Sequence, residues 1–154
     1  MSTWGTEMKS LWSVHDRRAI VARLEQLTPD AERAWGTLTP HAAVAHLADS
    51  LRMALGEITE EPIPGMLRHQ PIKWLAVNVL RMPKGVKGPA GYFTNPPRDW
   101  EEDLGELKRL MEVCADRAPT EPWGENPFFG ALDKQAWGKL AYKHFDHHLR
   151  QFCC

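Results

Sequence analysis

Apolar residues recur at three- and four-residue intervals along most of this chain, and no stretch alternates convincingly as a half-buried strand would. That interval is the period of an α-helix with one buried face, and it limits the fold of the 154 residues more than any other feature. A first helix is expected from about Ser10 to Leu27, with Leu11, Val14, Ile20, Val21, Leu24 and Leu27 apolar. Thr28-Pro29-Asp30 breaks it, because proline disfavours helical backbone at the residue before it. Thr39-Pro40 starts a second helix, a hydroxyl cap followed by proline at the first helical position. It runs through Val44, Leu47, Leu51 and Leu55 to a stop at Gly56. Ile72 to Met82 reads as a third, nearly all-apolar helix, and about Asp99 to Arg117 as a fourth. Asp133 is placed to cap the last. Between the third and fourth, Pro83, Gly85, Gly88, Pro89, Gly91, Pro96 and Pro97 crowd together, too many breakers for a regular element. The expectation is one all-α domain over residues 1–154, with long loops around the middle crossover.

Composition narrows the class. An apolar share of 43% and a charged share of 25% suit a globular chain. A formal net charge of −1 gives no overall reason to expect nucleic acid or an anionic membrane as partner. No window approaches the roughly 18 apolar residues of a membrane span. Met1 to Trp12 lacks the blocks of a signal peptide, which makes the cytoplasm the expected compartment. Three cysteines, Cys153 and Cys154 adjacent, are no disulfide framework. One asymmetry stands out: Pro62 to Arg98 holds six basic residues and no acidic one. It is either a solvated loop or a segment overhanging a site, where Lys84 and Lys87 would attract an anionic substrate or thiol cofactor.

The last helix carries the most informative pattern. On a helical wheel Trp137, Leu140, Ala141 and Phe152 define an apolar stripe, and His144, His148 and Gln151 fall within it. Lys139, Lys143, Asp146 and Arg150 occupy the opposite arc. Side chains four residues apart on one helix face lie about 5–6 Å apart, close enough for two imidazoles to bind one metal ion. The alternative is a pair of hydrogen-bonded core histidines. His147 sits at the edge of the stripe and is the weaker ligand candidate. A third ligand is needed, from among His15, His41, His46 and His69. His46 shares its helix face with Ala42, Ala43, Ser50 and Met53, mostly small residues that allow close helix approach. Asp49, one turn from His46, could orient a ligand or serve as a base. The terminal cysteines are either frayed or a thiol pair near the metal.

Three segments carry a family resemblance. Ala45-His46-Leu47-Ala48-Asp49-Ser50-Leu51-Arg52-Met53-Ala54-Leu55-Gly56, Asn126-Pro127-Phe128-Phe129-Gly130 and His144-Phe145-Asp146-His147-His148-Leu149-Arg150-Gln151-Phe152 together resemble the DinB/YfiT-like superfamily. The likeness is greatest to a branch known only as a domain of unknown function. It spans about Leu11 to Phe152 and implies a four-helix bundle with Zn²⁺ or Ni²⁺ on His46, His144 and His148. Better-known relatives are transferases and isomerases that use a low-molecular-weight thiol. The branch usually has His-Pro where this chain has Asn126-Pro127, and Gln-Phe-Gly where Cys153 follows Phe152. The resemblance implies a metal-dependent, thiol-dependent transferase acting on a small molecule. The competing readings are a non-enzymatic metal- or ligand-binding bundle and a small metal-dependent hydrolase. Loop tryptophans such as Trp35, Trp100 and Trp123 could build a ligand pocket or a homodimer interface.

Overall fold

The computed structural model describes residues 8–86, 88 and 93–154. The helices are α1 (Val14–Gln26), α2 (Pro40–Ala54), α3 (Ile72–Asn78), α4 (Trp100–Asp116) and α5 (Lys134–Gln151). A 3₁₀ turn at Met66–Arg68 precedes α3. A short antiparallel ladder, β1 (Glu125–Asn126) with β2 (Gly130–Ala131), sits just before α5. The chain is thus mostly helical, with a two-stranded ladder that helical periodicity had no means of showing.

Local chemistry sets the helix starts. Ser13, Thr39, Asp99 and Asp133 are the N-caps, each accepting a hydrogen bond from the backbone three residues on. α1 begins later than its apolar pattern suggests. Ser10 receives the Ser13 N–H on its carbonyl, and Asp16 takes the Ser10 N–H, so this stretch folds as a turn ahead of the helix. α3 stops at Asn78, short of the expected Met82. Pro83 disfavours helix immediately upstream, and the Lys143 ammonium caps the Ala76 and Leu80 carbonyls from α5.

The main core joins α1, α2, α4 and α5 around Ile20, Leu24, Leu47, Leu51, Leu107 and Phe145. α2 is the central helix: it packs against both α4 and α5 and buries nearly every residue from Ala43 to Leu51. A second cluster of Met53, Val77, Leu132, Trp137 and Leu140 sits beneath α3. Fully burying each large apolar side chain contributes on the order of 1.5–3 kcal/mol. No helix among the described residues is long and apolar enough to cross a membrane.

α5 ends in a Schellman motif. The Cys154 N–H donates to the Leu149 carbonyl and the Cys153 N–H to that of Arg150. This places Cys153 at φ 58°, the left-handed region where glycine is favoured. Relief of the roughly 1–2 kcal/mol penalty of a β-carbon there, less about 0.5–1 kcal/mol for the extra backbone entropy of glycine, means that Cys153→Gly should stabilise the fold by about 0.5–1 kcal/mol, measured by urea unfolding. An unchanged or lowered midpoint would show that the strain is not released.

Candidate metal centre

α2 and α5 cross so that His46 from the first meets His144 and His148 from the second. The Nε2 atoms of His46 and His144 are 2.9 Å apart, and those of His148 and His144 are 3.1 Å apart. The three residues form a group that could hold a metal ion, with all ligand atoms within 4.8 Å of one another. The rings meet nearly edge to face, at 88° between His46 and His144 and 82° between His46 and His148. His144 Nε2 thus faces the Nε2 atoms of both other rings.

Hydrogen bonding alone satisfies this arrangement poorly. An imidazole nitrogen has one in-plane position, filled by either a proton or a lone pair. The His148 Nδ1–H donates to Gln151 Oε1 at 2.8 Å, which leaves His148 Nε2 with its lone pair. A proton on His144 Nε2 can then point straight at only one of its two close neighbours. A tetrahedral ion with nitrogens at about 2.0–2.1 Å sets them roughly 3.3 Å apart, within a few tenths of an ångström of the two spacings to His144. The donor set and its spacing fit a divalent ion.

Burial keeps the His144 and His148 rings neutral. Removal of water from around the His144 ring, and then the nearby His46 and His148 imidazoles, hold it well below the usual histidine range. His148 is pushed down to about 3, chiefly by burial and then by His46, against the opposing pull of Gln151. Neutral imidazole is the form that binds metal. Gln151 is itself packed closely: a Cβ added at Gly36, which has φ 86°, would lie 2.6 Å from its Nε2.

The triad lies in a cleft of about 1110 Å³. Phe93 stacks on His46 with ring centroids 4.9 Å apart, and Phe128, Phe129, Trp137 and Leu140 continue the apolar wall. β1 positions part of that wall. Asn126 Oδ1 accepts the backbone N–H groups of Phe128 and Phe129, a tight turn that sets both phenyl rings beside the cleft. The position expected to lack a histidine's role thus has a structural role of its own, which only the turn reveals.

The remaining candidates are dispersed. His147 stands at the cleft rim, edge-on to Trp35 at 4.8 Å, with its nitrogens outside the three-histidine group. Lys84 also reaches the rim, its ammonium 4.7 Å over the Trp35 ring. Lys87 lies outside the described residues. Asp49 is fully buried, and its oxygens accept from Arg52 and from the backbone and side chain of Asn95. That carboxylate anchors the loop two residues after Phe93 and is not part of the histidine group. His41 pairs with Asp103 at 2.8 Å, while His15 and His69 are exposed. Cys114 is buried, its thiol pushed up to about 12 by loss of hydration. Cys154 packs against the main core, and neither it nor Cys153 joins the histidines.

The family model described as "Protein of unknown function (DUF1569)" matches residues 6–153. The chain belongs to that family. No curated protein and no solved structure matches it. In this DUF1569 chain the matched span takes in all five helices and every residue of the histidine group.

Proposed function

We propose that His46, His144 and His148 hold one divalent ion, Zn²⁺ or Ni²⁺, and that the protein is a metal-dependent transferase using a low-molecular-weight thiol. The observation that carries this reading is the His144 Nε2 atom, which has two imidazole nitrogens at 2.9 and 3.1 Å and can satisfy only one by a straight hydrogen bond. On the same reading α1, α2, α4 and α5 are the four helices of a DinB/YfiT-like bundle, with the ligands on its second and last helices.

Held by these three imidazoles, a divalent ion would supply Lewis acidity, lowering the pKa of a water or thiol toward neutrality. The protein's residues supply the rest. Gln151 fixes the His148 ring by holding its Nδ1 proton, which keeps Nε2 aimed inward. Phe93, Phe128 and Phe129 restrict water around the site and offer surface to an apolar electrophile. Lys84 places a positive charge at the rim, suited to a carboxylate on the thiol. Among the described residues that line the cleft there is no carboxylate to act as a general base, which favours transfer to a thiol over hydrolysis.

The test is adduct formation between thiols and electrophiles, followed with and without added metal. The reading requires faster adduct formation in the metal-loaded protein, and a several-fold higher KM for an anionic thiol in Lys84→Ala with kcat unchanged. Inertness across the panel would instead assign a metal-binding module. Turnover without thiol would assign a hydrolase.

A further inference from the structure

Outside the metal centre, one segment combines two properties that soluble surfaces seldom combine. Met66, Trp74, Val79, Leu80, Val86 and Phe93 are each more than half exposed, and elsewhere among the described residues only Val14 is a comparably exposed large apolar side chain. Single exposed apolar residues are ordinary, but a concentration of them marks an interaction site. α3 shows this most clearly: nearly all apolar in sequence, it buries only Val77.

The second property is charge. Pro62 to Arg98 carries six basic residues and no acidic one. Arg98 is paired with Asp103. Arg68 and Lys73 donate to the carbonyls of Pro127 and Ala131, contacts that fix them without neutralising them. Arg81 and Lys84 are exposed. Among the described residues, no carboxylate pairs with any of these four.

Exposed tryptophan and aliphatic side chains set among uncompensated cations suit an anionic bilayer, whose headgroups attract the charges while the interface takes up the apolar groups. A second copy of the chain fits less well, because a twofold contact would set the positive patch against itself. We propose that the surface made by the 3₁₀ turn, α3 and the residues up to Val86, together with Phe93, docks on anionic lipid membranes. Trp74 and Val79 enter the interfacial region, and Arg81 and Lys84 contact lipid phosphate or carboxylate groups. Leu80, Val86 and Phe93 also line the metal-centre cleft, so the docked molecule turns the cleft's mouth toward the lipid and can receive an apolar substrate from it. Docking rests on this surface alone and does not require the metal reading. The chain's net charge of −1 conceals it, since acidic residues elsewhere cancel the local excess.

The test is co-sedimentation of the intact protein with vesicles of phosphatidylcholine alone or with about a third phosphatidylglycerol. Binding should require the anionic lipid and weaken at least about tenfold on moving from low to high salt. Arg81→Glu/Lys84→Glu should weaken it by about 25-fold or more, at roughly fivefold per charge. Trp74→Ser/Val79→Ser, at exposed positions that leave the core intact, should weaken it by about tenfold. Val113→Ser, on the exposed side of α4, should leave it unchanged. Equal binding to both vesicle types, or insensitivity to both double variants, would overturn the proposal. A dimer in solution that Trp74→Ser/Val79→Ser dissolves would assign the surface to a second copy. Binding to soluble polyglutamate that is as tight as to vesicles, and indifferent to that variant, would assign it to an acidic protein.

Discussion

Phe145→Ala should lower the unfolding free energy by about 3–5 kcal/mol, the cost of removing a fully buried phenyl ring from a packed core. Phe145 is completely inaccessible and lies in the cluster joining α1, α2, α4 and α5. In a chain of this length such a loss lowers Tm by roughly 6–20 °C. The residue sits between two proposed ligands in sequence, yet its ring packs into the main core while theirs converge at the cleft. Metal affinity of the folded variant should therefore change by less than about tenfold, the lower bound for removing even an orienting partner. Urea unfolding and a metal titration on the same preparation check both halves. A loss of metal without a loss of stability would reverse the assignment of the two helix sides.

His148→Ala should show the opposite pattern. It removes one of three proposed ligands, so metal affinity should fall by more than the 10- to 100-fold typical of losing a residue that only orients a ligand. Gln151→Leu, which loses that orienting contact while keeping the nitrogen, should fall within the 10- to 100-fold range. Stability of the metal-free His148→Ala protein at neutral pH should change far less than in Phe145→Ala. Its acid response should change too. Burial holds His148 at about 3, below the 6.5 of an unfolded histidine. Below pH 6.5 the unfolded chain takes up a proton that the folded chain refuses, so stability present above 6.5 is lost as pH falls toward 3. Near the middle of that window the loss is about 1.4 kcal/mol per pH unit. The alanine variant should lack this component when metal-free unfolding is followed between pH 6.5 and 4. An identical pH slope in both proteins would contradict the burial of that ring.

Short-range chemistry was readable from the chain itself. Thr39-Pro40 and Asp133 announce caps because the bond they make spans only three residues. The His144 and His148 pair is visible because four residues make about one helical turn. His46 could be chosen from four candidates only by the small residues on its face and by a resemblance. What the sequence concealed depends on contacts between distant positions. Asp49 reads as a residue that orients a ligand or serves as a base, yet it is buried, with Asn95, far along the chain, supplying it with donors. The wheel drew one apolar stripe on α5 centred near the histidines. The helix in fact buries Phe145 and Leu149 beyond that stripe, since one side faces the core and the other a cleft. α3 misled in the opposite sense. Its apolar run suggested burial, but an apolar run does not state which solvent or partner surrounds it.

The central claim is that three imidazoles from two helices form one metal site. Titration of Co²⁺ into the metal-free protein, read by visible absorbance, tests it most directly. The expected result is saturation at one equivalent, with the intense bands of a low-coordinate nitrogen site that Zn²⁺ displaces and that both His46→Ala and His148→Ala abolish. Failure to saturate, or equal binding by the wild type and both variants, would contradict it.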